Sequence, residues 1–287
     1  MSAIPQRRTG KRNGRGYFGR AFAATLIAVA ILPVPSARAD LVGQFDAAIR
    51  NIRTWGGYTV VASTRVYETS GAPAPQLASA VVHFPRGASL RSSFLTKRFF
   101  CDAATLQRDP NPDLCANARF ASGSVLLDAR PAIADPIPAD IDLFLAKGGA
   151  NGAAATVVAL VKSNQQSPAY NYDVLEGYLF KESSAARRYG YRLDLPTLLR
   201  PLLPYVTLSL AEMKLKITGL TLERRKRPRK LFWLKTPDCP RGHKVTFGAD
   251  YAFKGAQPIS RRRSVSCARF LDLPTAHRKG QIPGAPG

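Results

Sequence analysis

Residues 244–253 read KVTFGADYAF, and residues 254–267 read KGAQPISRRRSVSC. Val245, Phe247, Ala249, Tyr251 and Phe253 alternate with Lys244, Thr246, Gly248, Asp250 and Ala252. A period of two puts the aromatic residues on one face of a strand. Lys254 to Pro258 carries turn chemistry, and Ile259 to Cys267 returns as a second strand with Arg261, Arg262 and Arg263 spread over both faces. The segment is a β-hairpin.

The same signature recurs toward the N-terminus. Strands are expected over Tyr58–Glu68, Leu77–Phe84, Ser89–Thr96, Gly123–Ala129, Asp140–Leu145, Thr156–Val161, Asp173–Phe180 and Tyr189–Leu195. Lys214–Leu222 and Leu231–Leu234 follow, and turn residues separate nearly all of these runs. Many short strands with few helical segments predict an all-β fold, an antiparallel β-sandwich with a barrel-like twist. Residues 41–53 are ambiguous, because Leu41, Phe45, Ile49 and Ile52 fit a helix and a lead-in strand equally well. The polar run Lys162–Pro168 reads as a joint or as an inter-strand loop, and the loop is favoured. One domain over 40–275 and a disordered tail over 276–287 complete the layout.

Composition agrees with this reading. Of 287 residues, 45% are hydrophobic, enough for a core, and 21% are charged, too few for a coiled coil. Lys and Arg number 42 against 19 Asp and Glu. Six cations and no acid lie in residues 1–20; the apolar run Ala21–Leu32 and the small-x-small triplet Ala37-Arg38-Ala39 follow. This is the layout of a signal peptide over 1–39, and its apolar run is shorter than the roughly 20 residues a spanning helix needs. The sequence thus predicts a secreted, extracellular or envelope protein with no transmembrane segment in the mature chain. Without residues 1–39 the chain keeps 35 bases and 19 acids, a surface suited to anionic polymers.

Four cysteines, Cys101, Cys115, Cys239 and Cys267, all follow the signal. In an oxidising compartment they predict two disulfides, and the local pairing Cys101–Cys115 and Cys239–Cys267 is favoured over the other two. The first would staple a short helix capped by Asp102 and broken by Pro110 and Pro112; the second would close the C-terminal hairpin. A zinc site using Cys239, His243, Cys267 and His277 is disfavoured by its spacing, so no metal or cofactor is expected.

Several of these stretches carry a family resemblance. Phe84-Pro85-Arg86-Gly87 follows a strand, Cys101 to Cys115 forms a helical staple, and Ala121–Val125 opens the next strand. Lys214–Leu222, a basic turn, Leu231–Leu234, Cys239–Phe247 and Cys267 close the chain. The arrangement resembles an uncharacterised family of exported, disulfide-containing actinobacterial proteins over most of residues 57–268. The resemblance implies export and a β-rich fold and carries no activity. The basic loop and the tail after Cys267 are longer here than in that pattern.

Catalytic sets are sparse. Nucleophilic hydrolysis needs a base beside Ser or Cys, and only His83, His243 and His277 are present. Asp140 with Asp142, and Asp173 with Glu176, are the carboxylate pairs available for hydrolysis. Gly148–Gly152 lacks the Gly-Lys-Ser/Thr ending of a phosphate loop and reads as a turn. The densest basic cluster is Arg224, Arg225, Lys226, Arg227, Arg229 and Lys230 around Pro228, expected at a hairpin tip. Leu195–Pro204 holds five leucines among three prolines and would cap the fold or line an apolar pocket. The leading reading is a non-enzymatic protein that adheres through its basic tip to an anionic wall polymer or membrane surface, without specific nucleic-acid binding. The alternatives are an envelope carrier of a lipid or other apolar ligand behind Leu198–Leu203, and a hydrolase using Asp140, Asp142 or His83.

Overall fold

The structure is a computed structural model that describes residues 40–53, 57–90, 99–148, 152–164, 166–182, 189–196, 199–218, 220–222, 229–231, 234–235 and 244–266. The signal segment, the tail, Cys239, Cys267 and most of the strand expected over Ser89–Thr96 lie outside the described residues.

Eleven strands form one antiparallel sheet. In chain order they are β1 (Leu41–Arg53), β2 (Gly57–Glu68), β3 (Leu77–Pro85), β5 (Arg119–Asp128), β6 (Ile137–Ala146), β7 (Ala155–Ser163), β8 (Tyr172–Lys181), β9 (Tyr189–Pro196), β10 (Ser209–Ile217), β14 (Lys244–Phe253) and β15 (Ala256–Ser266). Two small ladders are separate from it: β4 (Ser89–Leu90) pairs β13 (Leu234–Lys235), and β11 (Leu220–Leu222) pairs β12 (Arg229–Leu231). The all-β expectation is met, and the sheet runs β1-β2-β10-β5-β6-β7-β8-β9-β3-β14-β15 and nearly closes into a barrel.

Residues 41–53 are a strand. A spacing of four equals about one helical turn and also two strand repeats, so Leu41, Phe45 and Ile49 suit either, and only Ile52 changes face in a strand. The partner decides: β2 pairs β1 from Leu41↔Glu68 to Arg50↔Thr59. The C-terminal hairpin pairs Tyr251 with Ile259 and Val245 with Val265. Its turn is tighter than the sequence suggests, because Gly255 takes a φ of +73° and Ala256 already starts β15.

The two edges of the sheet meet through side chains. Ile259 of β15 sits where a side chain on Gly43 of β1 would be, with its Cγ2 3.0 Å from that position. Arg261 Nε donates to the Gly43 carbonyl at 2.6 Å, and Arg263 Nε pairs with Asp46 Oδ1 at 2.8 Å. Inside, the Tyr251 hydroxyl pairs with the Thr64 hydroxyl, and burial pushes the Tyr251 phenol up to about 12. Satisfied in this way, the hydroxyls carry little penalty for leaving water.

One patch of the outer face is also covered. The helix α1 (Ala103–Arg108) follows Asp102, whose carboxylate accepts the Ala104 N–H at 3.1 Å as the sequence predicts. Leu106, fully buried, packs with Phe144, Val158 and Leu160 of β6 and β7. That is why β7 is apolar almost without alternation: both of its faces are buried. The Cys101–Cys115 disulfide, with Cα atoms 5.4 Å apart, ties this cap to the 3-10 turn Pro112–Cys115. Among the described residues no helix is long and apolar enough to cross a membrane.

Two stability outcomes follow from this packing. Reducing Cys101–Cys115, or replacing both with Ser, should cost about 3 kcal/mol by the loop-entropy rule, read as a lower urea midpoint. Gly123→Ala should cost about 1–3 kcal/mol or more, since a Cβ there would lie 1.9 Å from the Lys214 carbonyl oxygen on β10. Ser124→Ala on the same strand, whose side chain is more exposed, serves as the control and should change little.

Candidate functional site: the barrel interior and its roof

Inward positions of the central strands are small or aliphatic. Ala80, Val125, Leu127, Ala159, Val161 and Leu195 surround a cavity of about 50 Å³, with Met213 as its nearest heteroatom-bearing neighbour. Ala80 and Ala159 stop short of the barrel axis, which leaves the space. It is comparable to one or two waters at about 30 Å³ each, but so apolar a wall gives water no hydrogen-bond partner.

The segment from Leu199 to Leu208 roofs this cavity. Leu199 and Leu208 point inward and line it, and Val206 is buried beside them. On the opposite side, Leu202 is 57% exposed and Tyr205 76% exposed. Pro201 and Pro204 break any regular structure, so the roof is an irregular strap. Both sequence-level options for the leucine-rich stretch are therefore realised: it caps the interior and it lines the pocket. Leu198 lies outside the described residues.

Two backbone bonds fasten the strap. The Arg200 N–H donates to Asp173 Oδ2 at 2.7 Å, and the Leu202 N–H donates to the Ala169 carbonyl at 2.8 Å. Asp173 is on the inward side of β8, opposite Val161 in register, and is 9% exposed. Burial raises its carboxyl above the ordinary value, against the lowering pull of the Arg200 N–H and guanidinium charge. Below it, Tyr170 is fully buried and donates its hydroxyl to the Val161 carbonyl at 3.1 Å. Burial, reinforced by the neighbouring Asp173, drives the Tyr170 phenol far up.

Beside the strap, the connection between β7 and β8 forms one wall of an open cleft of about 800 Å³. Among the described residues its lining is Ser163, Asn164, Gln166, Ser167, Pro168, Tyr170, Asn171 and Leu202, with no charged side chain. The polar run noted in the sequence is thus a loop between two paired strands.

Apart from Asp173, the carboxylate and histidine candidates lie elsewhere. Asp140 and Asp142 share the outer face of β6 and open onto a small cleft with Lys162. Asp142 faces Arg119 Nη1 at 3.6 Å; burial raises its carboxyl more than Arg119 lowers it. Asp173 and Glu176 are three apart on one strand and so face opposite sides. His83 is on the outer side of β3. Its Nδ1 meets Glu182 Oε1 at 2.5 Å, its Nε2 meets Asp250 Oδ2 at 2.8 Å, and its ring stacks on Tyr189 at 4.6 Å between centroids. With both ring nitrogens engaged, His83 has none open to act as a base. Sequence reasoning missed Glu182, Tyr189 and Asp250 as its partners. The one signal was Gly248, directly opposite His83, where a Cβ would lie 2.6 Å from the Tyr189 hydroxyl.

Of the basic cluster, Arg229 and Lys230 pair with Leu222 and Thr221 in the β11–β12 ladder. Arg224, Arg225, Lys226 and Arg227 lie outside the described residues, as do His243 and His277. Among the described residues no group of three or more His, Cys, Asp and Glu is placed to hold a metal ion. No protein-family model, characterised protein or solved structure matches this chain.

The strap latch has a testable pH signature. A carboxyl raised in the folded state retains a proton that the unfolded chain releases, so falling pH favours folding until the unfolded value near about 3.9 is passed. Asp173→Asn keeps an oxygen for the Arg200 N–H and removes this linkage. The stability of the Asn variant minus that of the parent should therefore shrink between pH 7 and about 4.5, measured by urea denaturation. Asp142 has the same sign but is common to both proteins. Asp128 moves the other way: burial, the largest influence, would raise its carboxyl, but its hydrogen bonds and ion pair with Arg130 together hold it below the ordinary value. Its contribution is lost only at lower pH, as the carboxyl protonates. A difference that stays constant with pH would rule out Asp173 as the buried titrating latch.

Proposed function

We propose that this protein is an exported carrier that encloses one apolar chain in a barrel-type interior. The observation that supports this most is the apolar cavity under an irregular, proline-broken strap. At about 50 Å³ the space is well below the 300 Å³ or more of usual ligand pockets. Binding therefore requires the strap to withdraw. Leu199 and Leu208 then leave the interior, and a hydrocarbon chain takes over their contacts with Leu127, Val161 and Leu195. Exchanging leucine side chains for alkyl carbon preserves dispersion contacts and keeps the inner face dry, so the driving force is removal of the cargo from water, about 25 cal/mol per Å². The signal-like residues 1–39 and the Cys101–Cys115 disulfide support a site of action outside the cytoplasm.

Native mass spectrometry of protein from its own culture medium, with displacement of a dansylated undecanoate probe, tests the reading. Ala159→Leu fills the cavity from the middle of β7 and should weaken probe binding about tenfold, equivalent to about 1.4 kcal/mol. Ala80→Val repeats the test from β3 should the first variant fold poorly. Probe binding that is absent, or unchanged in both folded variants, ends the proposal.

A second reading, adhesion to anionic surface polymer, draws support from the β11–β12 ladder, in which Arg229 and Lys230 pair with Leu222 and Thr221; Arg224–Arg227, the connection between these strands in the sequence, lie outside the described residues. Replacing Arg224, Arg225, Lys226 and Arg227 with Ser should lower the salt needed for elution from heparin, since cationic contacts act through counterion release. Elution at the parent salt concentration would leave that connection a solvated turn.

A further inference from the structure

We propose that the polar cleft beside the strap holds the uncharged, hydroxyl-rich head of the cargo, so that the ligand is a glycolipid-like amphiphile. This deepens the carrier reading and rests on it. The barrel cavity itself offers no hydrogen-bond partner, and any polar head would have to stay outside. A place with room beside the strap is the cleft of about 800 Å³ that shares Leu202 with the strap and Tyr170 with the core. Tyr170 stands between the two spaces: it lines the cleft, while its hydroxyl bonds the carbonyl of Val161, whose side chain lines the cavity. A molecule with its chain under the strap and its head in the cleft would pass this tyrosine.

The chemistry of the cleft selects the head. Asn164, Gln166 and Asn171 present side-chain amides, each with donors and an acceptor, and all three residues are exposed. Two of them are tied through the backbone: the Ser163 N–H donates to the Asn171 carbonyl at 2.7 Å, and the Asn164 N–H donates to the Pro138 carbonyl at 3.4 Å. Amides on a fixed rim match the mixed donor and acceptor pattern of vicinal hydroxyls. A phosphate or carboxylate head would instead call for Arg or Lys on the cleft wall, and among the described residues none lines it. The Leu202 N–H bond to Ala169 also links the cleft floor to the strap, so a head seated there touches the element that must move.

The test uses the full exported chain and three probes below their micellar concentrations: n-decyl maltoside, n-decanol and n-decanoate. Affinities are read by calorimetry, and binding positions by methyl and side-chain amide NMR. The maltoside should bind about tenfold tighter than decanol, with the Asn164, Gln166 and Asn171 amide signals shifting. In the variant Asn164→Ala, Gln166→Ala, Asn171→Ala that preference should fall toward unity. Equal affinity of maltoside and decanol, a preference for decanoate, or a preference kept in the triple variant would overturn the cleft assignment while leaving the carrier reading in place. Decanol that shifts no interior methyl would overturn the carrier reading. Maltose alone, titrated against the parent, then decides the cleft: loss of any amide shift rejects it as well.

Discussion

An apolar inner face that runs through eleven strands leaves water only if the sheet curls upon itself, and the rest of this structure depends on that closure. The curl brings β1 and β15 together without a shared ladder. Contact is made instead by Ile259 over Gly43 and by two arginines reaching across. A glycine at the meeting point allows the closest approach, and the guanidinium of Arg261 gives one edge carbonyl the partner a neighbouring strand would have supplied. Nearly closed in this manner, the sheet has an inside, filled by aliphatic side chains such as Leu127 and by aromatic ones such as Phe247 and Tyr251.

The covering of the outside is uneven, and the unevenness is informative. Over β6, β7 and β8 the stapled helix takes the place of solvent, so Phe144, Val158 and Leu160 are as buried as the inward residues between them. This part of the barrel is packed on two sides and forms the stiff wall. The roof is different in kind. Its fastenings are backbone N–H groups to Asp173 and Ala169, with leucines pressed inward and Leu202 and Tyr205 left in water. Three buried side chains, Leu199, Val206 and Leu208, hold it with these bonds, and one acceptor is a carboxylate that burial already disfavours in its charged form. Segments of low local stability are the ones that open first.

How much of this was legible depended on the length scale of the signal. Alternation along KVTFGADYAF needs only the next residue but one, so the C-terminal hairpin was readable down to its inward aromatics. The Cys101–Cys115 staple and its Asp102 cap were readable for the same reason, being local in the chain. Residues 41–53 were not, because their four-residue spacing satisfies two geometries and only pairing with β2 separates them. His83 was noticed as a lone histidine, whereas its carboxylate partners come from 99 and 167 residues away. The leucine-rich strap was recognised as cap or lining, but Asp173, read as half of a carboxylate pair, turned out to be the strap's anchor.

By itself, the sequence determined most of the strands, the inward face of the C-terminal hairpin, the local disulfide and the excess of positive charge, since each is written in neighbouring residues or in a count. Tertiary structure alone decided the order of the strands, the meeting of β1 with β15, the cavity left by Ala80 and Ala159, and the amide-lined cleft beside the strap. These depend on which distant segments become neighbours. That choice is made by the joint burial of all the inward faces at once, a condition no single segment of the chain can express.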